Sequence, residues 1–283
     1  MGRSSLLGTP ARATEAAMLV DISDCIGCKA CEVACKQWNR NPAEMAPFQG
    51  SYQSHPNLTA STWTLINFRE TVRDSGDVVW TFQKHNCMHC SEAGCVMVCP
   101  VDALRHDEYG IVNLDFDKCI GCGYCEQACP YDAVHVDAQL WNTNKKAGKC
   151  TLCFDRITNG LSPACVQACP TDCIKYGARD ELIRWGKERV DLLRKRGFPA
   201  ATLYGADELG GLHQLYVLTD SPDKFGLPVA PVISKRIFIW QRWLKPIGKV
   251  LVGTMLFGLF ANLVVNRFIG LKAPVAEGGD LHA

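Results

Sequence analysis

Two pseudo-symmetric α+β modules, one inserted in the other, followed by a single membrane-crossing helix, are what this sequence predicts. Three observations lead there. Of the 17 cysteines in 283 residues, sixteen fall into four groups of four. The text around those groups recurs, so one unit is used four times. Near the C-terminal end, residues 250–265 run without a charge.

The cysteine content far exceeds that of an ordinary chain. Disulfides would explain it in a small secreted domain, but disulfide partners need not recur two and three residues apart. The net charge of +1 gives no field suited to nucleic acid or an acidic substrate. No phosphate-binding loop, dinucleotide fingerprint or nucleophile–base signature is present. The sequence therefore predicts no catalytic site in this chain.

Residues 1–18 read as a tail, with neither a Sec h-region nor a twin-arginine pair. The first cysteine group is Cys25, Cys28, Cys31 and Cys35; the second is Cys87, Cys90, Cys95 and Cys99. The third is Cys119, Cys122, Cys125 and Cys129; the fourth is Cys150, Cys153, Cys165 and Cys169. Asp21 and Asp115 each stand four residues before C-I-G-C, and the text after the last cysteine reads CPVDA, CPYDA and CPTDC in groups two to four. In the first group Lys36 replaces that proline.

C-x2-C-x2-C-x3-C puts three thiolates on one tight loop, the spacing of ferredoxin-like two-cluster modules, in which the fourth cysteine ligates the other cluster. That cysteine is expected to start a helix, with the proline in its first turn. Zinc also takes C-x2-C pairs, but as pairs of pairs rather than triplets closed by C-x3-C-P. The cross-ligation rule then gives four [4Fe–4S] clusters. Cluster 1 takes Cys25, Cys28, Cys31 and Cys169; cluster 2 takes Cys150, Cys153, Cys165 and Cys35. Cluster 3 takes Cys87, Cys90, Cys95 and Cys129; cluster 4 takes Cys119, Cys122, Cys125 and Cys99. Residues 81–140 form the inserted module, and 19–80 with 141–180 form the module it splits. Cys173 occupies the position of Ala103 and Ala133 and is expected as a small buried side chain. His85 and His89 are expected to be surface groups or neighbours of the ligands.

Residues 61–85 alternate about Asp74-Ser75-Gly76-Asp77 as a hairpin, and a turn at Glu108-Tyr109-Gly110 lies between short strands. Residues 181–232 form a partner-docking region. Across its start a basic helix spans 179–196, ends at Gly197 and bears Arg179, Arg184, Lys187, Arg189, Arg194, Lys195 and Arg196 on a solvated or partner-facing surface. A strand follows at 212–219, and Pro222 to Pro231 reads as a linker. Residues 233–271 form the anchor, with Val250–Val265 as its apolar core and Trp240 and Trp243 at its interface; a buried core helix is the alternative. Residues 272–283 read as a tail.

CIGCKACEVACKQWN (25–39) resembles the four-cluster iron–sulfur subunits of molybdopterin oxidoreductases, such as the formate dehydrogenase, nitrate reductase and dimethyl sulfoxide reductase complexes, over about residues 19–180. RVDLLRKRGF (189–198), LYG (203–205), ELGGLHQLYVL (208–218) and the single C-terminal helix are similar to the beta subunit of membrane-bound formate dehydrogenase. The resemblance carries over the sixteen cysteines one for one. It implies a catalytic alpha subunit holding molybdenum- or tungsten-bis-MGD that oxidises formate, and a cytochrome b gamma subunit that reduces quinone. It implies an electron-transfer subunit at the bacterial inner membrane, its clusters on the periplasmic side. The positive-inside rule, applied to Lys235, Arg236, Arg242, Lys245 and Lys249 before the span, would place them in the cytoplasm; export already folded, with a catalytic partner carrying the twin-arginine signal, removes that conflict. The rivals are the equivalent subunit of another respiratory oxidoreductase or hydrogenase, and a redox-sensing metal module.

Overall fold

The computed structural model of the chain describes residues 15–48, 50–72, 76–136, 145–234, 239 and 243–268. In chain order the elements are β1 (Ala16–Asp21), α1 (Ala30–Asn39), β2 (Thr64–Val72), β3 (Val78–Asn86), α2 (Gly94–Val98), β4 (Leu104–His106), β5 (Val112–Leu114), α3 (Tyr124–Ala128) and β6 (His135–Val136). There follow β7 (Ala147–Gly148), α4 (Phe154–Ile157), α5 (Ala164–Gln167), β8 (Ile174–Ala178), α6 (Arg179–Lys195), β9 (Thr202–Tyr204), β10 (Gln214–Leu218) and α7 (Lys245–Phe268). They belong to two units, one ending at Ser234 and one beginning at Lys235.

In the first unit a four-stranded sheet runs β8–β1–β10–β9. β1 pairs parallel with β10 and antiparallel with β8, and all six of its residues are buried. A strand's side chains alternate between faces, and both faces of β1 are covered. Ala17 and Leu19 pack with Leu182, Val190 and Leu193 of α6, an i, i+8, i+11 stripe on one helical face. Ala16, Met18 and Val20 face a second core that includes Cys31, Cys35, Cys150 and Cys165. Gly186 lets α6 close on the sheet, since a Cβ there would come within 2.7 Å of Leu203 Cδ1.

The hairpin expected over 61–85 is β2–β3, paired from Thr64↔Asn86 to Val72↔Val78; of its expected turn, Asp74 and Ser75 lie outside the described residues. The 108–110 turn joins β4 to β5. The strand expected at 212–219 is β10, and the basic helix is α6, ending before Gly197 (φ 96°). Two of its basic residues do not lie on a solvated surface. Arg179 donates to the carbonyls of Leu212, Gly205 and Ala206. Arg189 donates to Asp21 Oδ2 (2.6 Å), Asp24 Oδ1 (2.8 Å) and Ser23 Oγ (3.0 Å). The supposed linker also differs: Pro222–Phe225 forms a 3-10 turn with Phe225 and Leu227 buried, and Tyr204 Oη donates to Pro228 O.

In the second unit α7 is longer than the uncharged run predicted. Lys245–Arg267 has a mean hydropathy of 1.8 and none of its apolar window is buried, so by length and composition it can cross a membrane. Trp240 lies outside the described residues.

Arg189 is the counter-ion of an Asp21 whose side chain is only 1% exposed. Arg189→Met should destabilise the folded chain by about 3–5 kcal/mol, the usual cost of orphaning a buried charge. Arg194→Met removes the exposed pair with Asp191 and one bond to the Ala201 carbonyl and should cost no more than about 1.5 kcal/mol. Denaturant unfolding of both variants checks this; equal midpoints would contradict it.

Candidate functional site

The four-fold repeat is written in the backbone as well as in the sequence. In each C-x2-C the residue before the second cysteine is left-handed: Gly27 (φ 65°), His89 (φ 48°), Gly121 (φ 64°) and Leu152 (φ 50°). Glycine adopts this region freely, while His89 and Leu152 must be held in it. The aspartates of CPVDA, CPYDA and CPTDC share the conformation, with Asp102, Asp132 and Asp172 at φ 50–52°, which a short polar side chain tolerates.

One expectation needs correction here. The fourth cysteine does not start a helix. Cys99 and Cys129 cap the ends of α2 and α3, and Cys169 follows the cap of α5. Pro100, Pro130 and Pro170 come next and cannot extend a helix. Cys35 lies inside α1 because Lys36 stands where the other groups have proline, and the helix runs on to Asn39. His89 is fully buried, so it is not a surface group.

The thiols gather across sequence groups. Cys99 joins Cys119, Cys122 and Cys125 around one cavity walled by Leu104, Leu114 and Val136. Cys35 joins Cys150, Cys153 and Cys165 around another walled by Met18, Trp63 and Leu152. Cys87, Cys95 and Cys129 lie within one another's electrostatic reach and all act on Cys90. Cys25 lies within reach of Cys31 and Cys169, with Cys28 at the exposed end of the same loop. Cys173 is buried as expected, but its Sγ is 3.5 Å from Cys169 Sγ and it also donates to Cys25.

Burial dominates the electrostatics. It pushes the thiols of Cys35 and Cys125 up to about 12, and raises those of Cys31, Cys87, Cys90, Cys95, Cys129, Cys153 and Cys165 as well. Such sulfurs become thiolates only beside positive charge. Cys25 and Cys169 are the exceptions, held at about 7 and about 5 by the Cys173 thiol despite their burial. Backbone amides add partial charge: Ala103 N–H donates to Cys99 Sγ (3.2 Å), Ala133 to Cys129 (3.4 Å), Ala147 to Cys119 (3.3 Å) and Leu152 to Cys150 (3.4 Å). Lys84 and Lys149 are buried beside the cysteines; nothing in their sequence context singled them out.

All-sulfur donor sets around small apolar-walled cavities fit iron–sulfur cubes. A tetrahedral zinc would draw its donors to about 2.3 Å of one point, whereas here four cysteines stand around each of two cavities.

Comparison with known proteins agrees. Two models described as 4Fe-4S dicluster domain match residues 24–103 and 78–179. The chain is 38% identical, over 94% of its length and 88% of the relative's, to the iron–sulfur subunit of the nitrate-inducible formate dehydrogenase of Escherichia coli (strain K12). It is 39% identical to the formate dehydrogenase-O iron–sulfur subunit of the same organism, over 95% and 88% of the two chains. To the formate dehydrogenase iron–sulfur subunit of Haemophilus influenzae it is 40% identical over 84% and 77%.

Gly148 sets the position of Lys149 and Cys150. A Cβ there would lie 1.8 Å from the carbonyl oxygen of Ala60, so an added methyl must move backbone. Gly148→Ala is expected to exceed the usual overpacking penalty of about 1–3 kcal/mol. It should appear as a lower thermal midpoint with reduced iron content. A variant as stable and as iron-rich as the parent would show that the 147–150 segment is not so confined.

Proposed function

Since this chain belongs to the iron–sulfur subunits of formate dehydrogenase, we propose that its sixteen grouped cysteines hold four [4Fe–4S] clusters in the cross-paired sets. These are Cys25, Cys28, Cys31 and Cys169; Cys35, Cys150, Cys153 and Cys165; Cys87, Cys90, Cys95 and Cys129; and Cys99, Cys119, Cys122 and Cys125. The observation that carries the pairing is that two cavities are each lined by three cysteines of one group and the last cysteine of another. The modules are then 81–140, and 19–80 with 141–180.

Such clusters, when bound, accept and release single electrons. The chain's own residues supply the sulfur, exclude water with apolar walls and fix the spacing through left-handed loops. Cys87 lies within electrostatic reach of Cys150, which supports placing clusters 2 and 3 side by side at the join of the modules. Cys28 and Cys122 are exposed, and beside them Ile26 and Ile120 are about 60% exposed. Apolar surface around an exposed ligand suits a partner that takes or gives electrons there.

On this reading the chain is non-catalytic. A bis-MGD alpha subunit oxidises formate at one end, and a cytochrome b gamma subunit in the bacterial inner membrane receives the electrons at the other. α7 anchors the chain, with the clusters on the periplasmic side. The extent of the likeness to formate dehydrogenase subunits and the apolar α7 support this.

Three measurements test the proposal. The complex purified without oxygen should hold about sixteen iron per chain, four per cube, and formate should reduce them. Stoichiometric zinc, or fewer than about twelve iron, would refute four clusters. Cys169→Ala should perturb the cluster of Cys25, Cys28 and Cys31, whereas Cys173→Ala should keep all four; the reverse result would exchange the ligand. Deleting residues from 246 onward should release the complex from the membrane with clusters and formate-to-dye activity intact, while formate-to-quinone activity falls. Loss of the clusters with precipitation would instead make α7 part of the core.

A further inference from the structure

Two lysines are buried beside the cysteines, and neither has an ion-pair partner among the described residues. A buried ammonium without compensation is strongly disfavoured and would shed its proton. Around Lys84 stand sulfur and a side-chain amide oxygen, and around Lys149 sulfur and backbone carbonyls. Lys84 Nζ donates to Asn86 Oδ1 (2.6 Å), and Asn86 Nδ2 in turn reaches Cys150 Sγ (3.9 Å). The sulfurs nearest in effect to Lys84 are those of Cys165, Cys150, Cys31 and Cys35, three from cluster 2 and one from cluster 1. Lys149 Nζ donates to Val112 O (2.6 Å) and Cys150 O (2.7 Å). The sulfurs of Cys87 and Cys95 of cluster 3 lie within its electrostatic reach. Asp107 feels Lys149 but lies beyond ion-pair distance.

We propose that Lys84 and Lys149 are the fixed internal counter-cations of the cluster chain, Lys84 for clusters 1 and 2 and Lys149 for clusters 2 and 3. The proposal rests on the cysteine pairing given above. A cube held by four thiolates is anionic, and taking up one electron makes it more so. A cation fixed in a low-dielectric interior favours the reduced form and raises the midpoint potential. Near cluster 4, Lys146 donates to Cys119 O but is only half-buried, so solvent screens it. The two lysines thus lift clusters 1, 2 and 3 relative to cluster 4, and cluster 2 takes a contribution from both.

The test is an EPR-monitored redox titration of the purified complex, with iron content measured on each sample. Cys28→Ser and Cys122→Ser identify the signals of clusters 1 and 4. Lys84→Met should shift clusters 1 and 2 to lower potential, and Lys149→Met should do so for clusters 2 and 3. In both, cluster 4 should stay in place and iron content should match the parent. Lys84→Arg, which keeps the charge, should titrate close to the parent. Full iron with no downward shift in Lys84→Met, or an equal shift in Lys84→Arg, overturns the counter-cation role. Loss of iron in both Lys84 variants also overturns it, since packing would then be the requirement; loss in Lys84→Met with retention in Lys84→Arg supports it. A Lys84→Met shift confined to the signal altered by Cys122→Ser overturns the cysteine pairing and leaves the counter-cation role standing.

Discussion

Negative sulfur held away from water is the constraint on which the rest of this structure depends. Burial raises nine of the grouped thiols, so a buried set of bare thiolates is disfavoured without compensating charge. Positive charge must come from somewhere, and the fold provides it at three scales. Bound iron is the largest source. Backbone amides are the next, turned toward the sulfurs by left-handed residues at matching positions in all four loops. The two interior lysines, tied down by carbonyls and an asparagine, are the third.

The same constraint explains why so much was legible in the sequence. A loop that presents three sulfurs to one cube has little freedom in spacing, so the groups at 25–35 and 119–129 announce themselves. Insertions lengthen the loops at Cys95 and Cys165 without disturbing the opening and closing motifs. What the sequence concealed was finer. Proline after Cys99, Cys129 and Cys169 looked like the first turn of a helix, and it is the stop that ends one; only the three-dimensional cap separates the two meanings. Lys84 reads as an ordinary polar position in an alternating strand, because its partners come from residues 31, 35, 150 and 165. Long-range company of that kind leaves no local trace.

The basic helix illustrates a similar limit. Seven positive residues over 179–196 suggested a solvated or partner-facing surface, yet Arg179 and Arg189 turn inward, one to carbonyls and one to Asp21. The apolar stripe at Leu182, Val190 and Leu193 was the better guide, since area removed from water decides which face is inside. In the second unit the reverse holds. No apolar window residue of α7 is buried, and composition alone carries the membrane assignment.

β1 lies between β8 and β10 and has residues buried on both faces. Its hydrogen-bonding partners come from residues 174–178 and 214–218, so for most of translation the strand at the start of the described chain has nothing to pair with. The segment from Cys87 to Cys129, by contrast, carries both of its sulfur sets within about forty residues. Contacts of such different sequence separation close at different rates, the local ones first. On the proposed pairing, the cysteines of the inner pair of sites can meet while the ribosome is still at work, and those of the outer pair must wait for nearly the whole cysteine-bearing unit to be made. On that pairing, a nascent chain therefore passes through a stage at which the inner cysteine sets are complete while Cys25, Cys28 and Cys31 still lack a partner well over a hundred residues downstream.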